Sequence, residues 1–143
     1  MSDEFPFSIT GAERKGPWLI TCDHANNRVP QEINNGSLGL TAEDMNRHIA
    51  YDVGAKGLSL ALGQHLMAPV LCSNFSRLVI DPNRGEDDPT LLMKLYDGSV
   101  IPGNRHADHA ELSRRLEAYH RPYHAAYAQL VASEPAIVAI HSF

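Results

Sequence analysis

Apolar positions in this chain change their spacing several times, and each change marks an element. Residues 17–22, Pro-Trp-Leu-Ile-Thr-Cys, are an unbroken and partly β-branched run, which predicts a buried strand. Polarity flips at Asp23, and a polar loop leads through Asn34-Asn35-Gly36 to Thr41. Thr41 followed by Asp44 is a capping-box variant and predicts a helix start. Ile49, Val53, Leu58, Leu60 and Leu62 carry that helix to about Leu66, with Gly54 and Gly57 as points where it can bend. Runs at 68–72 and 77–80 predict two more strands. The segment 81–107 is irregular and rich in Pro and Gly, a length that in a compact domain marks function or mobility. Leu112, Leu116, Tyr119, Tyr123, Tyr127 and Leu130 then recur at spacings of three and four, predicting a helix over 107–132 that Pro122 kinks. The last apolar run, 136–140, predicts a core strand ending in His141-Ser142-Phe143.

Strands separated by helices imply an α/β layer fold with a largely parallel sheet. Residues 1–16 read as a loosely held arm and 17–143 as the domain. The chain stops three residues after a core strand with no helix to cover it, so we expect it to be the front part of a longer fold. Its 143 residues, 43% hydrophobic and 20% charged, suit one soluble globular domain. A net charge of -5 without a basic run argues against nucleic acid or an anionic membrane as partner. No run approaches the ~18–20 apolar residues of a membrane span, and the acidic, polar N-terminus is unlike a signal peptide. Cys22 and Cys72 lie in apolar runs and form no C-x-x-C pair, as expected of buried thiols in a reducing compartment, the cytoplasm.

Candidate chemistry gathers where strands end. His24 follows the first predicted strand and His141 the last, so a parallel sheet would bring both to its C-terminal edge, where sites form. Two imidazoles there suit a zinc-like ion, which in a catalytic site needs a third protein ligand. Asp52 is our choice for it, with Asp23 and His48 as rivals. In Arg77-Leu-Val-Ile-Asp81-Pro82-Asn83-Arg84, two arginines and an asparagine can hold an anionic substrate, while Asp81 can pair with an arginine or cap the turn. His120 and His124 have metal-compatible spacing, but they flank an aromatic core stripe outside an H-E-x-x-H context, which favours a structural role. No nucleophile elbow, Walker A or dinucleotide fingerprint occurs.

Together the stretches TCDHANNRVP, HIAYDVGAKGLSLALG, NFSRLVIDPNR, YDGSVIPGNR, RPYHAAYA and IVAIHSF resemble the N-formylglutamate amidohydrolase family, in the expected order and over nearly the whole chain. The resemblance implies a three-layer α/β fold related to zinc carboxypeptidases and aminoacylase-like deacylases (phosphorylase/hydrolase-like). It implies zinc-dependent hydrolysis of the N-acyl amide of a small acidic amino acid, typically N-formylglutamate to formate and glutamate, a reaction of histidine degradation. His24 and His141 match its metal-binding histidines. Asn83 and Arg84, with Arg77 upstream, look like the carboxylate clamp of the related deacylases. Those deacylases carry a metal-binding Glu three residues after the first histidine; Asn27 stands there instead and is grouped with the substrate-binding residues. Their general-base Glu lies in a region beyond His-Ser-Phe, which leaves Glu32, Glu43 and Glu86 as candidates by default. The alternative is a deacylase-like domain that binds a small acidic ligand or a partner without turnover. Association with further copies through an exposed sheet edge is a further expectation.

Overall fold

The computed structural model describes residues 5–143. It opens with a strand where the sequence suggests a loose arm: β1 (Phe7–Thr10) pairs antiparallel with a segment reached much later, Phe7 standing opposite Ser73 and Thr10 opposite Val70. Phe7 and Ile9, alternate residues of β1, pack on the apolar cluster of Leu71, Tyr123 and Ala126, and that contact ties the segment down. Residues 1–4 of the expected arm lie outside the described residues.

The strand expected over 17–22 is β2 (Trp18–Cys22), with Leu19, Ile20 and Cys22 buried. The expected cap is present: Thr41 Oγ1 accepts the Asp44 N–H at 3.1 Å. The single long helix after it is not. A one-turn α1 (Ala42–Met45) unwinds, and α2 (Ala55–His65) begins only after Gly54, whose φ of 80° no helix accommodates. Asp52, expected on a helix, therefore stands in the turn before α2.

β3 (Val70–Ser73) follows α2. Residues 77–80 form no strand, although Leu78, Val79 and Ile80 are fully buried. Buried backbone groups need partners, and here side chains supply them. Asn104 Nδ2 donates to the Leu78 carbonyl at 2.7 Å and to the Met93 carbonyl at 2.8 Å. Arg115, buried itself, donates to the Val79 carbonyl at 2.9 Å and to Asn104 Oδ1 at 2.7 Å. The segment expected to be irregular contains a two-stranded hairpin, β4 (Leu95–Tyr96) with β5 (Ser99–Val100). Its turn is Asp97-Gly98, both in the left-handed region at φ 47° and 77°, as a tight hairpin requires.

The long helix over 107–132 is interrupted as Pro122 predicts. α3 (His109–Arg115) passes through a widened π turn, Leu116–His120, into α4 (Arg121–Val131). Pro122 has no N–H and its ring crowds the carbonyl of Ala118, which the wider turn relieves.

The last strand is β6 (Ala136–Ala139). The main sheet has the order β1-β3-β2-β6, parallel except for β1. Helix α2 packs through Leu60 and Leu62 against Ile20, Cys22, Val70 and Cys72, while Leu71 faces Tyr123 and Ala126 of α4. That makes three layers, as expected. Cys22 and Cys72 are both buried, free and opposite each other in register. β6 differs from its expected place in the core. It is an edge strand, exposed or half-buried along its length, with Ile137 46% exposed. An apolar run cannot by itself tell a covered strand from an open one. Among the described residues no helix is long and apolar enough to cross a membrane.

Candidate metal centre

β2 and β6 run parallel with Thr21 opposite Ala139, so the chain leaves the sheet twice at neighbouring points of its C-terminal edge. His24 and His141 meet there, their ring centroids 5.3 Å apart and edge-on. Asp52 reaches the same place from the turn before α2, where its N–H donates to the His24 carbonyl at 2.9 Å. One ligand atom from each of His24, Asp52 and His141 lies within 4.8 Å of the other two. Asp52 Oδ2 stands 3.0 Å from His141 Nδ1 and 3.4 Å from His24 Nδ1. His24 and Asp52 are buried and His141 is partly open.

The partners of His24 define its tautomer. Its Nε2 lies 2.7 Å from Asp81 Oδ1, and a carboxylate can only accept, so Nε2 carries the proton. Nδ1 accepts from Arg77 Nη2, a group that can only donate. Both contacts leave Nδ1 without a proton, its lone pair engaged by Arg77 beside Asp52. Burial pushes the Asp81 carboxyl up; the His24 hydrogen bond, the Asn83 N–H and Arg77 outweigh it and hold Asp81 below its ordinary value. His141 is turned the other way: its Nδ1 donates to Asp52 Oδ2 at 3.0 Å, and its Nε2 lies 3.6 Å from Asp23 Oδ2. Asp23 also accepts from the Tyr123 hydroxyl, whose ionisation burial and the Asp23 charge push up.

The donor set fits a divalent ion such as zinc. Two imidazoles and a carboxylate are ordinary first ligands for it, and the lone pairs of His24 and Asp52 already converge on a cationic group. Arg77 Nη2 reaches both, at 2.6 Å from Asp52 Oδ1.

A cleft of about 550 Å³ opens beside the cluster, lined by Arg77, Asn83, Arg84, Tyr96 and His48 among others. Asn83 and Arg84 both line it. Arg77 does not hold its guanidinium free for substrate: besides His24 and Asp52 it donates to the Tyr96 hydroxyl at 3.0 Å. Asn27 is not brought to the cleft. Its amide donates to the Met45 carbonyl at 2.7 Å, and it faces a separate depression with Val29 and Leu40. His48, a rival ligand, stands at the rim 3.2 Å from Asp97. The default bases are elsewhere too. Glu32 accepts from Tyr119, Glu86 pairs with Arg121, and Glu43 is exposed in the first turn of α1. Among the described residues lining the cleft, Asp52 has the one side-chain carboxylate.

Sequence reasoning missed Asp81 and Asp23 as partners of the histidines. Asp81 lies 57 positions from His24, so no local spacing reveals the pair. Its one signal is an acid at the abrupt end of a buried apolar run.

Compared with solved structures, the chain is similar to the gene product Atu2144 from Agrobacterium tumefaciens, with 32% identity and a TM-score of 0.93 over 99% of this chain and 57% of that one. It is also similar in fold to N-formylglutamate amidohydrolase from Ralstonia eutropha, with 24% identity and a TM-score of 0.67 over 90% of this chain and 51% of that one. The chain thus spans little more than half the length of either. No curated protein matches it. Residues 16–143 match the family described as FGase, N-formylglutamate amidohydrolase, and the chain belongs to that family.

Proposed function

We propose that the cleft hydrolyses the N-acyl amide of a small acidic amino acid, with N-formylglutamate, cleaved by water to formate and glutamate, as the first substrate to test. The observation that carries this reading is the convergence of His24, Asp52 and His141 in a cleft that Asn83 and Arg84 also line. His24, through Nδ1, together with Asp52 and His141 would hold a divalent ion, for which zinc is the proposal. Such an ion, when bound, polarises an acyl oxygen and makes a water acidic enough to attack it near neutral pH. Asp81 keeps the His24 proton on Nε2, so that the ring meets the cluster through a lone pair. Arg84, 45% exposed at its side chain, offers a substrate carboxylate a planar fork, and the Asn83 amide can add a donor.

A second reading is favoured by the cleft's lack of any side-chain carboxylate besides Asp52 among the described residues: binding of the acidic ligand without turnover. Both are tested by metal content of the unchelated protein, read beside formate release from N-formylglutamate. About one zinc per chain with formate release supports hydrolysis, and zinc with glutamate binding but no release supports the second reading. A chain that takes up no zinc when supplied with it excludes the metal centre. An Arg84→Ala variant with unchanged KM excludes the clamp.

A further inference from the structure

Asn83 and Arg84 lie on a loop, and a loop aims side chains only as well as its backbone is held. Two histidines hold this one. His124 Nε2 donates to the Pro82 carbonyl at 2.8 Å, and His120 Nε2 donates to the Arg84 carbonyl at 2.8 Å. The two carbonyls bracket Asn83, so the backbone on both sides of the clamp is tied to one helical surface. A carbonyl can only accept, which places a proton on each Nε2. The rings lie against each other, centroids 4.5 Å apart and tilted by 35°, so neither turns freely without the other.

The same loop is tied from the metal side. Asp81 Oδ1, which accepts from His24, also accepts the Asn83 N–H at 2.8 Å. The loop is therefore fixed between the metal cluster on one side and α4 with its preceding π turn on the other. His120 occupies a place that an apolar ring would fill more cheaply. It is 4% exposed, its Nδ1 has no partner, and burial lowers its pKa. What the histidine supplies that an apolar ring cannot is the bond to Arg84.

We propose that His120 and His124 are positioning residues for substrate recognition: through the Pro82 and Arg84 carbonyls they set where Asn83 and Arg84 meet the carboxylate of an acidic ligand. The proposal rests on the clamp role given to Arg84 above.

The test uses glutamate as probe, titrated calorimetrically into the whole chain, with zinc content and thermal unfolding recorded for each variant. Gln puts an amide nitrogen near the place of Nε2, whereas Asn is too short to reach and Leu has no donor. We expect His120→Leu and His124→Leu each to weaken glutamate binding by roughly ten- to a hundredfold, and His120→Gln and His124→Gln to restore most of it, with zinc content unchanged throughout. If formate is released, the Leu variants should raise KM and leave kcat nearly intact. Should a Leu variant not fold, the Asn variant makes the same comparison with Gln. Leu or Asn variants that bind glutamate as the parent does, while Arg84→Ala loses it, overturn the positioning role and leave the clamp standing. Weakening without rescue by Gln also overturns it. If Arg84→Ala binds glutamate normally, or the parent does not bind it, the clamp fails and the proposal with it.

Discussion

Asp81 and His24 are joined through Oδ1 and Nε2 at 2.7 Å, in a buried pair formed by residues from two different loops of the sheet edge. The bond decides which face of the imidazole presents a lone pair. Replacing Asp81 by Ala should weaken zinc binding by about 10–100-fold, and Asp81→Asn, which retains an accepting oxygen, should weaken it less. Competition with a chromophoric chelator measures both. Equal affinity in the parent and Asp81→Ala would show that His24 orients itself without help.

Removing Asp52 is a harsher change. Asp52→Ala takes away the carboxylate that both histidines face and also leaves the Arg77 guanidinium without its carboxylate partner. We expect loss of stoichiometric zinc together with a stability loss of about 3–5 kcal/mol, the range for breaking a buried pair from one side. His141→Ala, at a partly open position, should lose the metal at a smaller cost in stability. Zinc content and urea unfolding separate the two effects.

Asn104 holds a stretch of backbone that has no ladder to join. Its amide serves the Leu78 and Met93 carbonyls and the Arg115 guanidinium at once. Asn104→Leu, similar in size, leaves those groups short of partners at about 1–3 kcal/mol each. Urea unfolding should show a loss above 2 kcal/mol on that estimate, and an unchanged midpoint would mean that the segment is held by packing alone.

His120 gives stability a pH dependence of definite sign. Burial lowers its pKa from the ordinary 6.5, an effect His124 reinforces and that the Arg84 carbonyl, Glu86 and Asp81 oppose without reversing it. The unfolded chain therefore takes up the proton first as pH falls, so stability present above pH 6.5 is lost as pH drops toward the lowered value. His120→Gln should flatten the decline in unfolding free energy between pH 7 and 5. The lowered Asp81 carboxyl acts below its own ordinary 3.8 and leaves that window clear. A slope equal in parent and variant would assign it to other groups.

How much of this was legible in the sequence differs by element. The meeting of His24 and His141 was, because each ends an apolar run and parallel strands bring such ends together. Asp52 was legible as a residue type but not as a place: the helix pattern around it ran on past Gly54, where the backbone turns left-handed. Residues 77–80 read as a strand because burial alone makes a run apolar, and the groups that replace the ladder, Asn104 and Arg115, come from distant segments. The Asp97-Gly98 turn carried its usual signal but lacked long alternating flanks. Asp81 and His120 were opaque because what they do depends on partners 57 and 36 positions away.

The parallel pairing of β2 with β6 sets Trp18 opposite Ala136, so the two strands that deliver the histidines come from segments far apart along the chain. Asp52 and His141 are 89 positions apart. No local fragment can preassemble such a centre, and contacts of this range form only after long loops have closed. On a nascent or refolding chain, helices such as α2 and α4 can form while the ligand set is still scattered. If the proposed centre takes up zinc, metal capture would report sheet closure, and in a stopped-flow experiment with a zinc dye its rate should trail the helical signal and match the docking of β6.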